Sequence, residues 1–255
     1  MGEPDLLNRI SAYWDEHIHD LTITTFPVGT REFFHELDAY RYDKLRYLPQ
    51  LVDFDAYKGK NLLEVGCGVG IDLVRFARAG AHVTGIDISK VALELAHRNI
   101  EQHGLQADLR LMNGECMAFP GDTFDVVYAH GVLQYTAETG KMIHEIHRVL
   151  KPGGEAIMMV YNRHSWLNLM RKVTHVPLEH EDAPVLKKFS IQELMQLLSG
   201  FNEYRIIPER FPVRTKLHSG WKARLFNDVF VGGFNLMPKA WVKPFGWHLM
   251  AFSVK

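Results

Sequence analysis

Three glycines at alternate positions, in Gly66-Cys67-Gly68-Val69-Gly70, sit between a short apolar run and a stretch of helical spacing. The run before them is Asn61-Leu62-Leu63-Glu64-Val65. After them Leu73, Val74, Phe76 and Ala77 recur at helical intervals until Gly80. A strand that turns through glycines into a helix lets the backbone approach a ligand closely, because no Cβ fills the space. The next apolar run, Ala81 to Ile86, ends at Asp87. A carboxylate there can accept hydrogen bonds from both hydroxyls of a ribose. Loop and acid together predict nucleoside binding. The spacing narrows the ligand, since a dinucleotide fingerprint has its third glycine where this chain has Ile71. Glu64 adds negative charge that is unfavourable beside a pyrophosphate and tolerable beside an ammonium or a sulfonium.

The alternation continues down the chain. Ser89 is a good N-cap for a helix from Lys90 to about His103, stopped by Gly104. Strands are expected at Asp108 to Met112, Phe124 to Ala129 and Glu155 to Tyr161, with an amphipathic helix over Glu138 to Leu150 and a turn at Lys151-Pro152-Gly153-Gly154. Ser190 caps a further helix to about Ser199, and Glu203 to Phe211 and Gly246 to Lys255 read as the last strands. Strands alternating with helices predict βαβ units and a parallel sheet, an α/β fold. Residues 1–58 show no strand pattern. Leu6 to His17 and Arg31 to Leu51 have helical spacing around a loop at Thr22 to Thr30, so this part reads as a helical N-terminal extension or lid. Residues 59–161 read as the nucleoside-binding core, and 162–255 as the rest of the sheet with two insertions, 162–188 and 212–245, that fit no strand or helix of the core. Long insertions in α/β enzymes usually cap the binding side.

A net charge of −1 over 255 residues provides no electrostatic footprint for nucleic acid or an anionic membrane. No apolar run approaches the roughly 20 residues of a membrane span. The polar start Met1-Gly2-Glu3-Pro4-Asp5 lacks a signal-peptide pattern, and two cysteines do not make a disulfide framework. The expectation is a cytoplasmic protein. His144 and His147 are three apart on a helix, but no third ligand has metal spacing, so no metal is expected. Trp221, Phe226, Phe230, Phe234 and Trp241 leave three uses open for their insertion: a cap, a contact in a homodimer, or a lipid-facing surface.

Leu63-Glu64-Val65-Gly66-Cys67-Gly68-Val69-Gly70 resembles the E/D-x-G-x-G-x-G motif of class I S-adenosylmethionine (SAM)-dependent methyltransferases. Asp87, Asn113-Gly114-Glu115 with Phe119-Pro120, Phe124-Asp125-Val126-Val127-Tyr128 and Arg148-Val149-Leu150-Lys151-Pro152-Gly153-Gly154 resemble further motifs of that family, in family order. The resemblance covers residues 60–161 well and Ser190 to Phe211 more weakly. It implies a Rossmann-like seven-stranded, mostly parallel sheet with a reversed last strand. It also implies SAM as cofactor, with Gly66 and Gly68 against its amino-acid part, Asp87 on the ribose, Ile88 on adenine, Asn113-Gly114 at the adenine edge, and Ala129-His130 near the methionine end. Glu64, Cys67, Gly70 and Glu115 complete the expected cofactor site. The family often has Asp where this chain has Asn113, whose carbonyl oxygen can accept the same hydrogen bond.

Methyl transfer from a sulfonium needs alignment more than further chemistry. Candidate acceptor-side residues are His130 as preferred base, with Tyr135 and Tyr161 after the fourth and fifth strands. Tyr13, Trp14, His17 and His19 are candidates on the N-terminal extension. A small-molecule acceptor on oxygen, nitrogen or sulfur is favoured over nucleic acid, because the fourth strand is followed by Ala129-His130-Gly131-Val132 rather than an Asn-Pro-Pro-Tyr type signature. A non-catalytic SAM-binding module and a nicotinamide-dependent oxidoreductase are the competing readings.

Overall fold

The computed structural model describes residues 3–18, 23–174, 178, 180–212 and 226–255. Seven strands form one sheet: β1 (Asn61–Val65), β2 (His82–Asp87), β3 (Asp108–Leu111), β4 (Phe124–His130), β5 (Leu150–Tyr161), β6 (Glu203–Glu209) and β7 (His248–Val254). Their spatial order is β3-β2-β1-β4-β5-β7-β6. β1 to β5 pair in parallel, and β7 runs antiparallel between β5 and β6. The chain steps outward from β1 to β2 and β3, then returns to β4 on the other side of β1. That reversal opens a crevice at the carboxyl ends of β1 and β4, where open α/β sheets bind ligands.

The helices are α1 (Glu3–Glu16), α2 (Arg31–Lys44), α3 (Leu48–Leu51), α4 (Ile71–Arg78), α5 (Lys90–Gln102), α6 (Thr139–Val149), α7 (Trp166–Thr174), α8 (Ile191–Leu197), α9 (Gly232–Leu236) and α10 (Lys239–Val242). Successive side chains of β1 serve both faces of the sheet. Leu62 packs with Phe76 and Tyr128 on one side, and Leu63 and Val65 with Met142 and Ile146 on the other. Each such fully buried side chain contributes roughly 1.5–3 kcal/mol. Helix starts follow their caps: Thr30 accepts from Phe33 N, Ser89 from Ala92 N, and Ser190 with Glu193 forms a capping box.

Two differences from the sequence reading have physical causes. The single helix expected over Arg31 to Leu51 is two, α2 and α3. Pro49 lies in the first turn of α3, and its ring cannot accommodate a helical carbonyl four residues earlier, at Leu45. The break directs Tyr47 and Leu48 into the core, where they are 8% and 0% exposed. The turn expected at Lys151 to Gly154 lies inside β5, which starts at Leu150. The ladder with β4 shifts register between Phe124 and Val126, Gly153 takes φ +74°, and Lys255 exchanges backbone hydrogen bonds with Gly153 and Gly154. The 162–188 insertion contains α7, and the 212–245 insertion contains a π-helical turn, Phe226–Val231, followed by α9 and α10. His19, Trp221 and the rest of 213–225 lie outside the described residues. Among the described residues no helix is long and apolar enough to cross a membrane.

Candidate functional site

One cavity occupies the crevice at the switch point. Glu64, Gly66, Cys67, Gly68, Asp87, Ile88, Asn113, Gly114, Glu115 and His130, all expected at a cofactor site, line it. Gly70 and Ala129 are not among its lining residues. Gly70 precedes α4 at φ +76°, and a Cβ there would lie 3.3 Å from Ala96 Cβ, so its glycine serves the close packing of α4 on α5. Ala129 is fully buried in the core.

Asp87 ties the loop to its own strand end. Its Oδ2 accepts the Gly68 N–H and its Oδ1 the Ser89 N–H, both at 2.8 Å. Burial pushes its carboxyl up, and these backbone donors oppose that. Each oxygen keeps a second lone pair for a diol. Gly68 has φ +53° and nothing within 4 Å of where a Cβ would stand, so the loop leaves that space to a ligand. Glu64 is 5% exposed and its Oε2 has no hydrogen-bond partner. Burial pushes the Glu64 carboxyl well up, with Asp72 and Asp87 adding to the rise and Arg41 opposing it. A buried carboxylate without a donor is costly, and an ammonium group would satisfy it. An orphaned acid, an open glycine and a diol-binding carboxylate fit the amino-acid and ribose parts of SAM. Asn113 Oδ1 accepts from Glu115 N at 2.9 Å, which shapes the turn at the expected adenine edge.

Toward β5 and β7 the cavity is walled by ionisable groups from five elements. Asp72 of α4 is 2% exposed. It binds Arg41 of α2 bidentately along one guanidinium edge, with Nε 2.7 Å from Oδ1 and Nη2 against Oδ2. It also accepts the hydroxyls of Tyr42 and Tyr128 at 2.8 and 2.9 Å. Burial would raise its carboxyl, but the Arg41 guanidinium outweighs it and holds Asp72 at about 2. Arg41 Nη2 donates to His130 Nδ1 at 3.3 Å, and His130 Nε2 lies 3.2 Å from Tyr47 Oη. Tyr47 Oη lies 2.5 Å from His248 Nδ1, whose Nε2 receives Arg210 Nη1 at 3.0 Å. The arginine at each end assigns the tautomers: His130 carries its proton on Nε2 and His248 on Nδ1, and both donate to Tyr47. The Tyr47 hydroxyl then points at Met250 Sδ, 3.9 Å away. Burial, with Arg41, pushes His130 down to about 3. Burial, with Arg210 and His130, pushes His248 well down.

The remaining expected residues separate into two groups. Trp14, Tyr135 and Tyr161 line the cavity. The Trp14 ring meets Tyr135 edge-on at 4.9 Å, and Tyr135 Oη donates to Tyr161 Oη at 3.2 Å. Tyr13 and His17 are not among the lining residues. The Tyr13 hydroxyl donates to Asp182 at 2.8 Å, and His17 is exposed and stacked on the Tyr13 ring. Arg41, Asp72, Arg210 and His248 were missed in the sequence. Asp72 alone had a local signal, as an acid one residue inside the helix that follows the glycine loop.

Residues 63–158 match the family model described as a methyltransferase domain. A ubiquinone biosynthesis O-methyltransferase of Ruegeria pomeroyi is 32% identical over 158 residues, 60% of each chain. The chain spans about half to three-fifths of the length of the curated relatives it matches. Two solved structures share the fold. One, from Thermotoga maritima, is described as a SAM-dependent methyltransferase and possible histamine N-methyltransferase (16% identity, TM-score 0.62, 96% of this chain and 99% of that one). The other is a magnesium protoporphyrin IX methyltransferase of Synechocystis with bound S-adenosylhomocysteine (17% identity, TM-score 0.61, 97% and 99%). Taken with the glycine loop, the acid that closes β2 and the reversed β7, these matches show a methyltransferase domain at residues 63–158, in a Rossmann-like fold shared with SAM-dependent methyltransferases.

Proposed function

We propose that this protein is a SAM-dependent methyltransferase that methylates a small-molecule acceptor, on oxygen in the first instance, and releases S-adenosylhomocysteine. The observation that carries the reading is the continuity of one cavity. Its glycine-loop end holds Glu64, Gly68 and Asp87, and its other end is walled by Trp14, Tyr135, Tyr161 and Met159. The relative named as an O-methyltransferase supports oxygen as the acceptor atom.

SAM, when bound, supplies an activated methyl group on its sulfonium. The chain supplies alignment. Asp87 and Glu64 hold the ribose and amino-acid ends, and the aromatic walls exclude water and orient a flat acceptor. Such alignment is worth several kcal/mol, with about 7–11 as the outer range. His130 is better suited to positioning than to proton abstraction. Both its nitrogens are engaged, by Arg41 and by Tyr47. A base held at about 3 also has little driving force near neutral pH.

Titration with SAM and with NADH separates this reading from a nicotinamide oxidoreductase. Release of S-adenosylhomocysteine with catechols, thiols and amines then separates an enzyme from a binding module. Tight SAM binding and turnover with a catechol is the expected outcome. SAM binding without turnover on any acceptor class would leave a binding module.

A further inference from the structure

We propose that the acceptor is an anion: a small, largely apolar ring compound whose carboxylate or ionised hydroxyl sits against Arg210, with His248 beside it. The proposal rests on the methyltransferase reading and adds the chemical class of the substrate.

The carboxyl groups of the cavity are all engaged away from Arg210. Its four lining carboxyl groups are Glu64, Asp72, Asp87 and Glu115. Glu64 and Asp87 stand at the cofactor end. Asp72 is taken up by Arg41 and two tyrosine hydroxyls. Glu115 accepts the Thr136 hydroxyl and the Glu138 N–H. Arg210 lines the same cavity. The Arg210 guanidinium is part-buried and meets the neutral imidazole of His248. Among the described residues it has no carboxylate partner. A part-buried cation facing a cavity without a counterion is unfavourable, and an anionic ligand removes the cost.

The position of Arg210 is built. It follows β6 at φ +60°, a left-handed conformation unusual for a side-chain-bearing residue. Its carbonyl is held there by the Trp166 indole N–H at 2.8 Å and by Trp247 N at 3.3 Å. Strain of this kind persists where surrounding structure fixes it, and here it sets the direction of a cationic side chain. The two imidazoles add no competing charge, because burial and the neighbouring arginines keep both neutral. His248 opens β7, three strands from β1 in the sheet, so at about 4.8 Å per strand it stands roughly 14 Å from the glycine loop. The cationic wall therefore lies on the acceptor side rather than at the amino-acid end of the cofactor.

The test uses the full chain loaded with S-adenosylhomocysteine. Benzoate and its neutral isostere benzamide are titrated into wild type and Arg210→Gln, and 4-nitrophenol, held at its own pKa, reports ionisation by its phenolate absorbance. Wild type is expected to prefer benzoate by about 10- to 100-fold and to raise the phenolate band of bound 4-nitrophenol. Arg210→Gln is expected to lose both effects, Arg210→Lys to restore part of them, and all three proteins to bind S-adenosylhomocysteine within about twofold of one another. A rise with the phenol but no preference for benzoate identifies an ionised hydroxyl as the anion, and a benzoate preference alone identifies a carboxylate. Equal binding of benzoate and benzamide with no rise in the band, or a preference that survives Arg210→Gln, overturns the proposal. So does a fall in S-adenosylhomocysteine affinity in Arg210→Gln, which would move Arg210 to the cofactor. Failure of wild type to bind S-adenosylhomocysteine at all is the separate failure of the methyltransferase reading, and takes this one with it.

Discussion

Asp15 of the N-terminal helix accepts the Ser89 hydroxyl at 2.7 Å, and Ser89 is the residue that caps α5 beside Asp87, the acid that closes β2. One turn earlier on α1, the Ser11 hydroxyl donates to the Ile88 carbonyl at 2.9 Å. Both bonds land on the Asp87–Ser89 turn. Between them they seat Ile10 and Trp14 on the cavity, so α1 closes over it through contacts made by the Asp87–Ser89 turn itself. Asp15→Ala is expected to release the helix. A hydrogen bond to a charged, part-exposed group is worth about 1 kcal/mol net, so SAM binding should weaken several-fold while the melting temperature of the core hardly moves. Limited proteolysis within α1 should accelerate. Cleavage at the wild-type rate would show that other contacts hold the helix in place.

Glu64→Gln is expected to trade stability against binding. In the ligand-free protein, burial and two neighbouring acids raise the Glu64 carboxyl well above its ordinary value. A carboxyl raised by folding favours the fold at low pH and loses that contribution as pH rises through the folded value. Above the ordinary carboxyl range, burying this group therefore works against the fold, and the neutral amide should raise the melting temperature. The same change removes the partner for a ligand ammonium, which should cost about 10- to 100-fold in SAM affinity. Isothermal titration and thermal melts read the two effects separately. Unchanged affinity would take Glu64 out of the cofactor site.

The glycine-loop half of the cavity, proposed to hold the nucleoside, was legible in the sequence because it is local. Gly66, Gly68 and Glu64 lie within five residues, Asp87 closes the next strand, and Asn113 to Glu115 follow the third. Strand-to-helix periodicity fixes where such residues emerge. The acceptor half was opaque because it is assembled from distant segments. Arg41 and Tyr47 come from the N-terminal helical region, His130 from the end of β4, Arg210 from the turn after the edge strand β6, and His248 from the start of β7. The antiparallel pairing of β7 with both β5 and β6 brings Tyr161, Glu209 and His248 into register, and no spacing along the chain encodes that meeting. Arg210 was further hidden because the sequence reading ran the sixth strand on to Phe211, whereas the strand stops at Glu209 and the chain turns at Arg210.

Asp72 should govern acid stability. Its folded value is about 2 against an ordinary 3.8. A depressed carboxyl contributes stability in full above its unfolded value and loses it as pH falls through the folded one. The protein should thus lose stability progressively below pH 3.8, toward pH 2. Asp72→Ala leaves the Arg41 charge buried without its partner, at a cost of about 3–5 kcal/mol, and should abolish the acid-sensitive component. Replacing both partners, Arg41→Met with Asp72→Leu, should recover much of the stability but not the cavity wall that Arg41 provides. Denaturant unfolding across the pH range checks both. A single variant as stable as wild type would mean that the pair is solvated in solution.

Gly66 and Gly68 are two residues apart and predict opposite phenotypes. Both have positive φ, at +70° and +53°, so an alanine at either pays backbone strain of roughly 1–2 kcal/mol. At Gly66 the added Cβ would stand 2.8 Å from Val132 Cβ and Cγ2. That neighbour is the root of a branched side chain and cannot swing away, so the β4 loop must move, at a further 1–3 kcal/mol or so. At Gly68 the Cβ meets nothing within 4 Å and projects into the space left for the ligand. Gly66→Ala should therefore lose stability first, melting well below wild type with or without ligand. Gly68→Ala should fold with only the strain penalty yet lose the rise in melting temperature that S-adenosylhomocysteine produces in wild type. A Gly68→Ala protein that keeps the full ligand-induced shift would show that the open space beside this loop is not where the ligand lies.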